Sequence, residues 1–165
     1  MGKRIGCIST RFAGTDGVSL EVNKWVDVFR DDLDCEIFWF AGMLDRDPAI
    51  SMLCEEAFFG HENNTWIDQR VFGSHKRHSD VTRAIDEMSA RIKAKLYEFV
   101  KAFDIELVLV ENALCIPMHI PLGKAITEFI AETNIPSISH HHDFFWERDR
   151  FKRNAIGDYL NASFP

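Results

Sequence analysis

Three consecutive histidines and an aspartate, His140 to Asp143, are the densest group of side chains in this chain that could do chemistry near neutral pH. They follow a short apolar segment that begins at Ile135 and has the composition of a buried strand. Three aromatic and four charged residues come directly after them, in the order FFWERDR. Since a core strand needs no such residues, the segment predicts a functional site where this strand leaves its sheet.

The histidines alone allow more than one interpretation. Residues two apart on a strand share a face, so His140 and His142 could bind one metal ion, as in a metal-dependent hydrolase. The inward imidazole could equally be a hydrogen-bonded core residue with no ligand. Phe144 to Trp146 could cap the core, and the charged residues that follow could be a solvated helix start with local ion pairs.

A second candidate lies in the loop RFAGTDG, which follows the first apolar segment. Gly14 and Gly17 would allow a sharp turn, and the helix predicted from Val18 would present free N–H groups to an anion. The glycine spacing matches neither the Walker loop nor the dinucleotide fingerprint. A simple turn therefore stays open as an alternative.

Hydrophobic periodicity predicts strands that alternate with helices. The strands are expected over residues 4–9, 35–40 and 105–110, with a fourth from 135, and the helices over 18–30, 80–103 and 122–133. Residues 50–59 are expected to form a short helix, and residues 60–79 show no clear period. This alternation predicts an α/β, Rossmann-like three-layer sandwich with a mainly parallel sheet.

Right-handed crossovers bring the carboxyl ends of parallel strands to one edge. Four loops should meet there, at residues 10–17, 41–47, 111–121 and 141–150. Ser9, Phe40, Val110 and His140 should therefore lie near one edge of the sheet. Open α/β sheets bind their ligands in such a crevice.

Composition narrows the class of protein. The 165 residues are 46% apolar and contain no Pro/Gly/Ser linker, which predicts one domain with a single core. The formal charge of −7 argues against a nucleic-acid surface. The four cysteines are scattered, no apolar run approaches the roughly 18 residues of a membrane span, and no signal-type segment opens the chain, so we expect a cytoplasmic protein with free thiols.

The order of three motifs resembles the N-terminal half of a GT-B glycosyltransferase. These are TDGVS at 15–19, ENALCIPMHIPLG at 111–123 and HDFFWERDRF at 142–151. More narrowly, the chain is similar to the retaining family 4 enzymes that use nucleotide sugars. The resemblance implies transfer of a hexose from a nucleoside diphosphate sugar to a small hydroxyl acceptor, with products of the compatible-solute, sucrose, trehalose or glycerate-glycoside type.

The resemblance also assigns roles to the first loop and to the third strand's exit. The loop that approaches the donor diphosphate and the acceptor falls on Asp16, Gly17 and Val18. The family often has a doubled glycine here, whereas this chain has Asp16-Gly17. Asn112 takes the place of a polar group that related enzymes present to the cleft.

In the histidine-rich strand exit, the family's histidine beside the transferred sugar corresponds to His142. Asp143 matches the acid that commonly follows it, so these two are the candidate catalytic residues. His141 is a candidate for substrate binding. We expect His142 to matter more than His141.

A second, C-terminal Rossmann-like domain would bind most of the nucleotide sugar in this family, through an acidic pair separated by seven residues. Two glutamates with this spacing occur once, at Glu98 and Glu106, and they are expected on a helix and a strand, so we interpret this pair as chance. We therefore expect the chain to be the acceptor half of a longer enzyme, inactive alone, with part of Phe144 to Trp146 exposed where the absent domain would pack.

The expected partners are a small-molecule acceptor, the nucleotide sugar and this second domain, without nucleic acid or a membrane span. The domain itself needs no cofactor, although Mg²⁺ in the complete enzyme and a homo-oligomer stay open. Two other classes of function also stay open. They are the metal-dependent hydrolase that would use His140 and His142, and a stand-alone flavodoxin-like binding module.

Overall fold

The computed structural model describes residues 2–164, and its centre is a five-stranded parallel sheet. The strands are β1 (Arg4–Ile8), β2 (Glu36–Ala41), β3 (Ser51–Leu53), β4 (Leu107–Glu111) and β5 (Ser137–His140). They lie in the order β3-β2-β1-β4-β5, and every neighbouring pair is parallel. The predicted α/β, Rossmann-like sandwich is confirmed.

Helices cover both faces of the sheet. They are α1 (Gly17–Asp31), α2 (Glu62–Val71), α3 (Ser79–Phe103), α4 (Ile120–Thr133), α5 (Asp149–Lys152) and α6 (Gly157–Ser163). The three helices predicted from periodicity correspond to α1, α3 and α4. Among the described residues, no helix combines the length and apolar character that a membrane crossing requires.

The two faces of the sheet bury separate clusters, because successive strand residues point to opposite sides. Cys7 of β1 packs with Val22 and Val26 of α1 on one side. Ile8 packs on the other side with the apolar stripes of α3 and α4, which include Phe99 and Phe129. Burial on both sides explains why β1, β2 and β4 are almost continuously apolar.

Residues 50–59 do not form the predicted helix. Met52 lies opposite Phe40 in β3, which pairs with the outer side of β2, and a single 3-10 turn follows at Glu55–Ala57. That prediction was wrong because the unpaired edge of β2 needs hydrogen-bond partners, a tertiary requirement that overrides a weak local helical pattern. Within the unassigned residues 60–79, the structure forms α2, whose first turn is capped by His61 Nδ1 accepting from the Asn63 N–H at 3.2 Å.

All five strands end at the same edge, so the predicted crevice is present. α4 ends at Asn134, which adopts a left-handed conformation with φ 51°. This conformation terminates the helix and lets the chain enter β5. The exits of β1, β4 and β5 therefore lie side by side and can present side chains to one site.

Candidate functional site

A buried carboxylate stands at the centre of the histidine-rich edge. Glu111 is the last residue of β4, lies opposite His140 of β5 in the register, and is fully buried. One carboxylate oxygen is 2.6 Å from His142 Nε2, and the other is 3.0 Å from His140 Nδ1. The two imidazole rings lie 5.1 Å apart. We call these three residues the Glu111 cluster.

The cluster is arranged to satisfy a charge that water cannot reach. A buried carboxylate is strongly destabilised unless donors surround it, and the two imidazoles supply those donors. In the described part of the chain, Glu111 forms no ion pair with a lysine or arginine. The hydrogen bonds use Nδ1 of His140 and Nε2 of His142, so the opposite nitrogen of each ring has no partner among the residues that the structure describes.

Asn112 joins the cluster to the strand exits. Its backbone adopts φ 56°, a left-handed conformation that asparagine tolerates better than most residues. Its N–H donates to the His140 carbonyl at 2.9 Å, and its Oδ1 accepts from the His142 N–H at 3.2 Å. The Cys115 thiol also donates to this oxygen. Asn112 thus fixes the backbone from which the His142 ring projects.

The structure separates the other two predicted residues of this segment from the cluster. His141 packs against Phe144 with ring centroids 5.8 Å apart, and burial lowers the pKa of its imidazole. Asp143 accepts a hydrogen bond from Arg148 Nε, while its other oxygen is buried and has no partner among the described residues. Only His142 of this trio contacts Glu111.

The aromatic residues after Asp143 form a partly open surface. Phe144 and Trp146 stack with centroids 4.6 Å apart and an interplanar angle of 3°, and Trp146 is 49% exposed. Phe145 is only partly buried and packs against the core. An exposed aromatic in this segment agrees with the surface expected from the sequence.

In the first loop, Asp16 caps α1. Its Oδ1 accepts from the N–H groups of Val18 and Ser19, at 3.0 and 3.2 Å. Its Oδ2 accepts from Ser19 Oγ at 2.9 Å and pairs with Arg11 at 2.9 Å. Partial burial alone would raise the pKa of Asp16, but the hydrogen bonds from Ser19 and the Arg11 charge lower it, so the carboxylate stays ionised.

This capping uses donors that an anion would otherwise find at the helix terminus. The N–H groups of Val18 and Ser19 donate to Asp16. Of the first three residues of α1, only Gly17 therefore has an N–H without a partner among the described residues. A Cβ at Gly17 would meet nothing within 4 Å, so this position is open. Direct phosphate contact through the loop would therefore use Gly17 rather than the neighbouring amides.

A cavity of about 150 Å³ lies between the exits of β1 and β4. Its walls are Ser9, Thr10, Arg11, Asp16, Val18, Phe59, Asn112, Ala113, Ile116, Met118 and His119. Three of the predicted site residues, Asp16, Val18 and Asn112, therefore share one cavity. We call it the loop cavity, and Asn112 belongs both to it and to the segment that holds His142.

His119 is a polar wall of this cavity that sequence reasoning did not select. It is 2% exposed, its Nδ1 accepts from the Leu122 N–H at 3.0 Å as the cap of α4, and its Nε2 donates to the Glu56 carbonyl at 2.7 Å. Burial lowers the pKa of His119 to about 4, so the ring is neutral at neutral pH. Both nitrogens are used, which makes His119 a structural residue.

Glu111 and Arg11 were also missed, although a signal for Glu111 exists. An acidic residue directly after four apolar strand residues is unusual. In a parallel sheet, such a residue can lie beside the residue at the matching register position of the neighbouring strand. Its pairing with His140 nevertheless depends on the register between β4 and β5. Arg11 gave no comparable signal because its neighbour Phe59 lies in a distant segment.

The Glu111 cluster also has a composition that could hold a metal ion. One ligand atom from each of its three residues lies within 4.8 Å of the others. Two imidazoles and a carboxylate suit Zn²⁺ or a similar transition metal, whereas Mg²⁺ prefers oxygen ligands. The distances of 2.6 to 3.1 Å between ring nitrogens and carboxylate oxygens are those of direct hydrogen bonds.

Together these features define an α/β domain of Rossmann-like architecture with a polar site at the carboxyl edge of its sheet. The chain is 28% identical over 156 residues to mannosylglucosylglycerate synthase of Petrotoga mobilis, and 24% identical over 165 residues to the Thermotoga maritima protein of the same name. No family model and no solved structure matches the chain.

These alignments cover 94% and 98% of this chain but only 35% and 37% of the two relatives. The chain thus spans little more than a third of the length of the proteins it matches. Their names indicate glycosyltransferases.

Proposed function

We propose that this chain is the acceptor-binding, N-terminal domain of a retaining glycosyltransferase of the GT-B fold and family 4. The complete enzyme transfers a hexose from a nucleoside diphosphate sugar to a small hydroxyl acceptor of the glycerate-glycoside type. One observation carries the proposal. The Glu111 cluster and the loop cavity meet at Asn112, on the sheet edge where this architecture binds ligands, in a chain whose relatives are named mannosylglucosylglycerate synthase.

Retaining transfer demands little covalent chemistry from this domain. Negative charge builds on the departing diphosphate while the sugar becomes oxocarbenium-like, so the useful groups stabilise charge and align the reactants. The open N–H of Gly17, at the positive end of α1, can face the diphosphate. Asp16 orients this loop through the helix cap rather than by contact with the phosphate.

His142 is the proposed contact to the transferred sugar. Its Nε2 is held by Glu111 at 2.6 Å, so Nδ1 remains to accept a hydrogen bond from a sugar hydroxyl. Asp143, held by Arg148, is the second proposed polar group, and His141 is a proposed substrate-binding residue. On this account His142 positions the sugar and does not act as a general base.

The second Rossmann-like domain supplies the main nucleotide-sugar contacts in the proposed enzyme. Any Mg²⁺ would be held there or by the diphosphate, because the nitrogen-rich Glu111 cluster is a poor site for it. The exposed stack of Phe144 and Trp146 is available to contact that domain.

The proposal is tested with the full-length protein. It is incubated with a panel of UDP-, GDP- and ADP-hexoses and with D-glycerate, glycosylglycerates, sugar phosphates and glycerol as acceptors. We expect a glycoside by mass spectrometry and, by proton NMR, the anomeric configuration of the donor. For histidine substitutions in the site, His78→Ala is the matched control. His78 is exposed, so this variant should transfer sugar at the wild-type rate. An absence of transfer from every donor, or an inverted product, would contradict the proposal.

A metal-dependent hydrolase is the second candidate, and Glu111 favours it by adding a third ligand to His140 and His142. The bound metal would activate a water molecule. Elemental analysis of the purified full-length protein separates the two candidates. Stoichiometric zinc that is lost in His140→Ala would support the hydrolase, whereas a metal-free protein that transfers sugar would exclude it.

A further inference from the structure

Arg11 gives the loop cavity hydrogen-bond donors that are not used by the described residues. Arg11 is its one cationic wall residue, and its only anionic wall residue, Asp16, already accepts from Val18, Ser19 and Arg11. Only one guanidinium nitrogen of Arg11 pairs with Asp16, and Phe59 lies beneath the group with its ring centroid at 5.6 Å. The other guanidinium N–H groups have no partner among the described residues.

Two further polar groups face the same space without a protein partner. Ser9 is 2% exposed, and within residues 2–164 its hydroxyl makes no hydrogen bond. Asn112 uses its Oδ1 for the His142 N–H and the Cys115 thiol, which turns its amide NH₂ group away from them, and this NH₂ group also lacks a partner in the described chain. Both residues line the cavity, so these groups can donate hydrogen bonds to a polar ligand there.

We propose that the loop cavity binds the carboxylate of the acceptor through Arg11, so that the enzyme selects hydroxy acids and their glycosides over neutral polyols. This inference rests on the proposed function and deepens it. A guanidinium group matches a carboxylate geometrically and can donate two parallel hydrogen bonds to it. Asn112 NH₂ and Ser9 Oγ then bind the neighbouring oxygens.

The charge balance favours a carboxylate over the donor diphosphate. Arg11 is the one cation of the walls and uses one nitrogen for Asp16, so its remaining N–H groups can bind one singly charged group. A diphosphate carries at least two charges and would need more cations than this cavity has among the described residues. A volume of about 150 Å³ also suits a group of glycerate size rather than a nucleotide.

The test uses Arg11→Gln and Arg11→Lys in the full-length enzyme, with Arg30→Gln as the control because Arg30 is an exposed arginine on α1. Steady-state kinetics are measured with D-glycerate and with glycerol, which differ only in the carboxylate. We expect Arg11→Gln to lower kcat/KM for glycerate by about 10- to 100-fold, mainly through KM, as the loss of hydrogen bonds to a charged group predicts. Transfer to glycerol and the KM for the donor should change less than about 3-fold, and Arg11→Lys should recover part of the loss.

Calorimetric titration of glycerate and of pyrophosphate into the wild type and Arg11→Gln tests the inference without catalysis. Glycerate binding that is lost in Arg11→Gln supports it even if no donor sugar is identified. The wild-type protein could transfer sugar while Arg11→Gln loses activity toward glycerate and glycerol equally, or loses pyrophosphate binding instead of glycerate binding. Either result would overturn the inference and leave the proposed function intact. Normal glycerate kinetics in Arg11→Gln would overturn it as well.

Discussion

The Glu111 cluster and the loop cavity lie at the same sheet edge and contain similar residue types, but their hydrogen bonding differs. In the cluster, a fully buried carboxylate is satisfied by two imidazoles. In the cavity, the carboxylate of Asp16 is satisfied, whereas donors of Arg11 and Asn112 have no partner within residues 2–164. From this difference we infer that the Glu111 cluster positions the ring of His142, whereas the loop cavity binds a group of a ligand.

The largest effect should come from the ring that the cluster positions. His142→Ala in the full-length enzyme should lower turnover by about 2 to 4 kcal/mol of transition-state stabilisation, the size typical of one preorganised polar contact. His141→Ala should do much less, because its ring packs against Phe144 rather than Glu111. Steady-state assays of both variants check this, and equal, small losses would mean that the wrong histidine was chosen.

In the cavity wall, His119 should make the protein sensitive to acid. Its pKa is about 4 in the folded protein because of burial, against an ordinary value near 6.5, so between these pH values the unfolded chain binds the extra proton. Stability should therefore fall as the pH is lowered from 6.5 to 4, by roughly 3 kcal/mol from this residue.

Urea unfolding at pH 7.5, 6, 5 and 4 measures that dependence. His119→Asn is the matched variant, because asparagine can still cap the helix through the Leu122 N–H but does not titrate in this range. The variant should be less stable at pH 7.5 because it leaves space in the core, yet its stability should fall less steeply with acid. An unchanged slope would show that His119 is not the group involved.

Within the cluster, Glu111→Gln should lower turnover by about 1.5 to 3 kcal/mol of transition-state stabilisation. The carboxylate accepts one hydrogen bond at each oxygen, whereas the amide has one accepting oxygen and an NH₂ group that only donates. The loss should appear in kcat rather than in the KM for either substrate, because Glu111 is buried beneath the site. Glu98→Gln, on the exposed side of α3, serves as the control. A change confined to KM would instead place Glu111 in direct contact with a substrate.

The smallest effect concerns the cavity's own carboxylate. Asp16→Ala should destabilise the protein by about 1 kcal/mol through loss of the α1 cap, whereas Asp16→Asn should retain most of that stability. Denaturant unfolding of both variants measures the effect. If both variants keep full stability, Asp16 is not primarily a cap, and its predicted part in substrate binding becomes the stronger reading.

The sequence predicted the layers of the fold well because local signals and tertiary demands agree there. The segments that became β1, β2 and β4 are apolar on both faces, and α3 repeats its stripe over 25 residues. β3 could not be predicted, because three residues carry no period and form a strand only through the free edge of β2.

The candidate site was predictable in part. The motifs identified Asn112 and His142, and the structure brings these residues together. Glu111 escaped because its role depends on the register of two strands distant in sequence, and Arg11 because its contact to Phe59 depends on how two distant segments pack. The functional roles predicted for the site residues stay predictions; these residues are Asp16, Gly17, Val18, Asn112, His141, His142 and Asp143.

The most direct test of the account is a double-mutant cycle between Glu111 and His142 in the full-length enzyme. If Glu111 acts by positioning His142, then adding Glu111→Gln to His142→Ala should lower kcat hardly further, giving a coupling energy of about 1.5 to 3 kcal/mol. Losses that add in full would show that Glu111 acts independently of His142, and would contradict the claim that the cluster exists to hold this ring.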